Sequence, residues 1–357
     1  MSSTTHAPRI AVLGCGGWGR NIVRTLAKVH GVAAVVDPSE AGRKAAAELA
    51  PGAAVHATPD AVFNDPTIDG VMIATPAETH YELARRALAS GKHVFAEKPL
   101  TINVAHARDL IARADSAERV LMVGHLLEYH PAILKLREMI DSGELGRIRY
   151  VISNRLNLGK IRTEENALWS FAPHDIAVIL RLVGADPIQV VCTGGGYVSP
   201  NIADVTVTQL LFADGVRAHV FVSWLHPFKE QKLVVIGSEK MASFDDVNKE
   251  LVIHNQRVDW KDGQPVPVKG EGARIDFGGD MPLDAEVLHF VNAVREGVTP
   301  RTDGRSGLRV LSILHDAQRS LLLNGSPVNT DATPIRHIPE GAPIAGLASE
   351  RTNQALV

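Results

Sequence analysis

The amino-acid sequence predicts an α/β chain of two domains, a doubly wound parallel sheet followed by an α+β region built on an antiparallel sheet. Three observations predict it. Short, continuously apolar runs alternate with amphipathic helical patterns through the first third of the chain, as in a parallel sheet covered on both faces. After about Gly124 the runs lengthen, alternate in polarity and follow one another through turns such as Ala213-Asp214-Gly215, as antiparallel strands do. A glycine-rich string stands where the first apolar run meets the first helical pattern.

The strand candidates of the first third are residues 9–13, 32–36, 70–74, 93–96 and 120–123. Helical patterns separate them at 18–29, 39–50, 79–90 and 103–114. In the third of these, Thr79 is placed to cap, and Leu83, Ala84, Ala87 and Leu88 form an apolar stripe. Beyond 124, a helix over 131–140 precedes alternating runs at 147–157, 204–212 and 216–224. A further helix is expected to start near Pro173, with Ile176, Ile179, Leu180 and Val183 on one face and Gly184 ending it. Helical patterns at 284–295 and 308–323 close the fold, and a late helix of this kind is free to pack back on the first domain. From 331 the chain reads as a loop-like tail with Pro334, Pro339 and Pro343. The expected boundaries are thus 1–124, 125–330 and a tail over 331–357.

Composition narrows the function classes. With 37 Lys plus Arg against 40 Asp plus Glu, the formal net charge is −3, so no basic face for nucleic acid is expected. Two cysteines, Cys15 and Cys192, in 357 residues make no disulfide framework, and no Cys/His spacing or HExxH string suggests a metal. No apolar run reaches the roughly 18–20 residues of a membrane span, and the first residues lack a signal-peptide pattern. A cytoplasmic enzyme is the expectation.

The string Gly14-Cys15-Gly16-Gly17-Trp18-Gly19 has the form G-x-G-x-x-G between a strand and a helix. Gly14 suits a tight turn, Gly16 the close approach of a diphosphate, and Gly19 the packing of helix on strand, with free amides at the helix start for the phosphates. Asp37 closes the second apolar run, where an acidic side chain accepts the hydroxyls of an adenine ribose and repels a 2′-phosphate. The expected cofactor is NAD.

His93-Val94-Phe95-Ala96-Glu97-Lys98-Pro99 sets a Glu-Lys pair at the carboxyl end of a buried strand, the edge where ligands of open α/β sheets sit. Together with the glycine string and Ala74-Thr75-Pro76, it resembles the Gfo/Idh/MocA oxidoreductases over nearly the whole chain, to about residue 325. The resemblance implies a Rossmann domain followed by an open, mostly antiparallel sheet that often forms the oligomer interface, hence a homodimer or homotetramer. It implies cofactor contacts from Thr75, Pro76, His80, Glu97 and Lys98, with Lys98 bonded to the reacting hydroxyl. It also implies a catalytic histidine in the segment Trp169-Ser170-Phe171-Ala172-Pro173-His174-Asp175, which makes His174 the candidate general base. Where many relatives carry Asp, this chain has Ser170, which leaves Asp175 either as a replacement partner or as a helix cap.

The family pattern puts 124–131, including Tyr129, at the mouth between domains. The run Arg155-Leu156-Asn157-Leu158-Gly159-Lys160-Ile161-Arg162 then holds three cations near amides, a composition suited to a diphosphate. With the following WSFAPHD segment it resembles the nucleotide-sugar branch, the UDP-N-acetylglucosamine 3-dehydrogenases, whose ketone product feeds a sugar aminotransferase. Arg155, Asn157, Lys160, Arg162, Tyr129 and Asp175 are therefore expected to meet a UDP-sugar. Two other readings stay open: a dehydrogenase of a free sugar or polyol such as inositol, and a non-catalytic NAD-binding sensor. The sensor would need the glycine string but neither Lys98 nor His174.

Overall fold

A computed structural model describes residues 7–330 and 338–344. Those residues divide into two compact units, one of 7–126, 281–311 and 338–344, the other of 127–280 and 312–330.

The first unit begins β1 (Ile10–Leu13), α1 (Gly19–Val29), β2 (Ala34–Val36), α2 (Glu40–Leu49), β3 (Ala54–His56), α3 (Asp60–Phe63), β4 (Gly70–Ile73), α4 (Ala77–Ala89), β5 (His93–Glu97), α5 (Val104–Ser116) and β6 (Leu121–Gly124). Its six strands are all parallel in the order β3-β2-β1-β4-β5-β6. Each side chain of β1 and β4 is buried, and burial of a Val, Ile or Leu contributes about 1.5–3 kcal/mol. That explains the unbroken apolar runs. The order reverses between β1 and β4, so the loops after these strands form the crevice where ligands bind. Thr79 does not cap α4. Pro76 is the N-cap residue, and the Thr79 hydroxyl donates to the Pro76 carbonyl at 2.7 Å.

The second unit contains α6 (Pro131–Asp141), β7 (Ile148–Leu158), α7 (Ala167–Val183), β8 (Gln189–Gly195), β9 (Val205–Leu211), β10 (Arg217–Ser223), β11 (Leu225–Gly237), β12 (Met241–Asp245), β13 (Glu250–His254), β14 (Arg257–Lys261), β15 (Gln264–Val268) and β16 (Gly272–Ile275). After them come α8 (Pro282–Glu296), α9 (Gly304–Leu322) and the two-residue β17 (Val328–Asn329). The nine-stranded sheet runs β16-β13-β12-β11-β7-β10-β9-β8-β17, antiparallel except where β7 lies parallel to β10. A separate hairpin, β14–β15, turns at Asp262-Gly263, both at positive φ as a two-residue hairpin turn demands.

One expectation changes and two become specific. The helix expected from Pro173 starts six residues earlier, at Ala167, with the Asn166 side chain capping it by accepting from the Trp169 amide at 3.1 Å. Pro173 is interior to that helix. The late helix that returns to the first unit is α8, through an ion pair of Lys28 with Asp284 and an edge contact of Phe95 with Phe290 at 5.9 Å. Of the tail expected over 331–357, only 338–344 belongs to the described residues. It is hydrogen-bonded to the chain after α8, with Thr299 donating to the Ala342 carbonyl at 2.8 Å.

Candidate active site

In the first unit the site is made by backbone at strand ends. Gly14 has φ +96°, and a Cβ on Gly19 would lie 2.2 Å from the Gly14 carbonyl oxygen, so α1 could not start there with a larger residue. Gly16 and Gly17 face open space with no heavy atom within 4 Å of where a Cβ would be, the room that a diphosphate needs. Asp37, buried just past β2, accepts from the Cys15 amide at 2.7 Å and from the Ser39 amide and hydroxyl at 2.9 and 2.6 Å. Burial would push its pKa up, but these bonds and Arg43 outweigh it and hold the carboxyl below the usual range. It is therefore an anion at neutral pH. A Cβ on Gly42 would strike this carboxylate at 2.2 Å, so Gly42 gives Asp37 its place against α2, a requirement that sequence reasoning missed.

The Glu97 carboxylate at the end of β5 accepts from the Trp18 indole N–H at 2.5 Å and from the Lys98 amide at 3.3 Å, joining the glycine string to the Lys98 loop. Desolvation pushes its pKa up to about 7, against the Trp18 bond and the Lys98 charge. His80 is enclosed: its ring nitrogens lie 2.8 Å from the Pro99 carbonyl and 2.9 Å from the Thr75 carbonyl. It thus clamps two loops of the crevice, and both ring nitrogens are occupied by backbone. The Thr75 hydroxyl is bonded to Thr79 at 2.7 Å. One group stands out within the expected stretch 124–131. His125, directly after β6, is buried with neither ring nitrogen hydrogen-bonded, and burial with the Lys98 charge takes its pKa down to about 3. Its place at the carboxyl end of a strand was the available signal.

In the second unit the side chains expected to act stand on α7 and β7. His174 is the eighth residue of α7, and Ser170 is buried one turn before it. Asp175 caps nothing, since its carboxylate accepts from the Ser153 hydroxyl at 2.7 Å and from Arg155 at 2.8 and 3.2 Å. The three cations expected to act together are thereby separated. Arg155 is committed to Asp175 with only 13% of its side chain exposed, and Arg162 lies 3.4 and 3.3 Å from Glu164 and Glu165. Lys160 is exposed past the end of β7. Asn157, the penultimate residue of β7, has Oδ1 buried and unbonded, and Tyr129 is buried.

Residues 8–125 match the family model of the Gfo/Idh/MocA oxidoreductases, described as an NAD-binding Rossmann fold, and 133–243 match the family's C-terminal domain. The UDP-N-acetylglucosamine 3-dehydrogenase of Acidithiobacillus ferrooxidans is 30% identical over 307 residues, 85% of this chain and 94% of that one. The chain belongs to the Gfo/Idh/MocA oxidoreductase family. A crystal structure of that Acidithiobacillus enzyme superposes with a TM-score of 0.78 at 27% identity, covering 88% of this chain and 98% of the other. An inositol 2-dehydrogenase of Ralstonia nicotianae is 28% identical over 71% of this chain and 80% of its own. This Gfo/Idh/MocA protein is therefore an NAD-dependent oxidoreductase, and its glycine cradle, ionised Asp37 and open space beside Gly16 fit that cofactor.

Proposed function

We propose that this Gfo/Idh/MocA oxidoreductase oxidises the C3 hydroxyl of a UDP-linked amino sugar, UDP-N-acetylglucosamine or a close relative, to the 3-keto sugar. The observation that carries the reading is the 30% identity running through 94% of the UDP-N-acetylglucosamine 3-dehydrogenase. Bound NAD supplies the acceptor for the hydride that leaves C3. The chain's own groups do the rest. Gly16, Gly17 and the start of α1 hold the diphosphate of the cofactor, and Asp37 its adenine ribose. Lys98 hydrogen-bonds the reacting hydroxyl and stabilises negative charge developing on its oxygen, while His174 takes the hydroxyl proton. Glu97, tied to Trp18, sets the loop that carries Lys98. In this reading the protein works in the cytoplasm as a homo-oligomer, and an aminotransferase consumes the labile ketone.

A second reading, a dehydrogenase of a free polyol, is favoured by the carboxylates that occupy Arg155 and Arg162, which leave Lys160 as the exposed cation of that cluster. Calorimetric titration of the enzyme–NADH complex separates the two. UDP and UDP-N-acetylglucosamine are expected to bind, N-acetylglucosamine and myo-inositol at least tenfold more weakly. Lys160→Ala is expected to weaken UDP by roughly 1.5–3 kcal/mol, the worth of a charge-assisted bond. Equal binding of myo-inositol and the UDP-sugar installs the polyol reading.

A further inference from the structure

His174 follows a proline and precedes an aspartate, and both neighbours constrain it. Pro173 is interior to α7 and has no N–H, so it cannot donate the ladder bond that residue 173 would give to the Trp169 carbonyl. The backbone is least pinned by its own helix directly beside the proposed base. Asp175 stands on the other side, and its carboxylate is gripped from β7 by Ser153 Oγ at 2.7 Å, Arg155 Nε at 2.8 Å and Arg155 Nη2 at 3.2 Å. The grip engages both carboxylate oxygens and uses the fork of the guanidinium, so it fixes rotation as well as distance. Ser153 and Asp175 are buried, and Arg155 nearly so.

We propose that Ser153, Asp175 and Arg155 form the positioning unit for His174, replacing from the sheet side the constraint that Pro173 removes from the helix. The inference rests on His174 as the proton acceptor of the proposed reaction. It also gives the substitution at position 170 a physical sense. With Ser in place of the family's Asp, the imidazole is oriented through the backbone beside it, which the gripped Asp175 carboxylate holds. Arg155 then serves the site through Asp175 and contributes no phosphate contact.

The surroundings allow the unit to be loosened without collapse. A cavity of about 20 Å³, room for one water, lies against Ser153, Arg155 and Asp175, with Asp246, Lys232, Gln231 and Phe244 on its other walls. Asp246 is itself occupied, by His130 at 3.3 Å and Lys249 at 2.5 Å. Lys232 on β11 and Asp246 just past β12 are the charged groups that line the cavity opposite the unit.

The test uses the full-length enzyme with NAD. Ser153→Ala removes one bond and no charge, Arg155→Lys keeps the charge and loses the fork, and Asp175→Asn weakens all three bonds. Expected are losses in kcat of about 3-fold, 10-fold and 10²-fold in that order, a displaced and broadened His174 limb in the pH profile, and NADH affinity within 2-fold of the parent. Ser153→Thr, which keeps the hydroxyl, is expected to restore the parent profile. Titrating the His174 ring proton by NMR in the NADH complex reads the imidazole whatever substrate proves correct. Should Asp175→Asn fail to fold, Ser153→Ala and Arg155→Lys still decide. Folded variants with lowered melting temperature but unchanged kcat, pH limb and ring titration overturn the proposal. A parent enzyme inert towards UDP-sugars, with the ring titration displaced in the variants, overturns the substrate reading alone.

Discussion

The two units carry their candidate functional residues by opposite means. In the first, backbone does the work: glycines at strand ends, the amides of Cys15 and Ser39 on Asp37, and the carbonyls of Thr75 and Pro99 on His80. In the second, side chains do it: Asn166 caps α7, Gln318 receives Asn166 and Trp169 at 2.9 and 3.1 Å, and Arg155 with Ser153 holds Asp175. A backbone site leaves a spacing in the sequence, because only glycine fits at certain positions. A side-chain site leaves only residue types whose partners lie far along the chain.

The contrast can be sharpened where its effects are largest. Lys98 projects from a loop that Glu97 and Trp18 hold through other atoms, so Lys98→Ala is expected to lower kcat by about 10²–10⁴ with the melting temperature within a few degrees. Steady-state kinetics beside a thermal melt check it. A large fall in stability would show that the first unit, too, is held together by its functional side chains.

Cofactor choice comes next. Asp37→Ala is expected to narrow the preference for NAD over NADP by more than tenfold in kcat/KM, since the ionised carboxyl no longer opposes a 2′-phosphate. The amides of Cys15 and Ser39 lose their acceptor as well, at a cost of about 1–3 kcal/mol in stability for each one left buried and unpaired. Better use of NADP than NAD by the unaltered enzyme would remove Asp37 from the selectivity argument.

The third effect is electrostatic. Glu97 titrates at about 7 in the folded chain against 4.5 for an ordinary glutamate. The folded state therefore binds more protons than the unfolded state between these values, and the contribution of Glu97 to stability falls as pH rises from about 4.5 to about 7. Glu97→Gln abolishes that slope. The difference in melting temperature between the parent and Glu97→Gln should shift towards the variant across the window. A difference that is flat with pH would return Glu97 to an ordinary exposed carboxylate.

How much of this was legible follows from the same contrast. The parallel sheet could be read because each central strand is buried on both faces, which forces unbroken apolar runs, and helix–strand alternation then admits few topologies. The glycine string, Asp37 and the Lys98 loop could be read because their backbone requirements have a fixed spacing. Strands β12 to β16 were harder. Their exposed alternate residues and short lengths blur the periodicity, and β14–β15 is a polar hairpin with an exposed Trp260.

By itself, the sequence determined the fold class, the order of the nucleotide-binding elements and the placing of Lys98 at a ligand edge, because burial and glycine sterics act locally. Only the tertiary structure decided what the charges do. Arg155, Lys160 and Arg162 form one cluster along the chain, yet β7 presents Arg155 to a carboxylate twenty residues away on α7, and Glu164 and Glu165 lie beside Arg162. Whether a cation is open to a ligand depends on which anion the fold carries to it, and in a buried setting an unpaired charge costs too much to remain so.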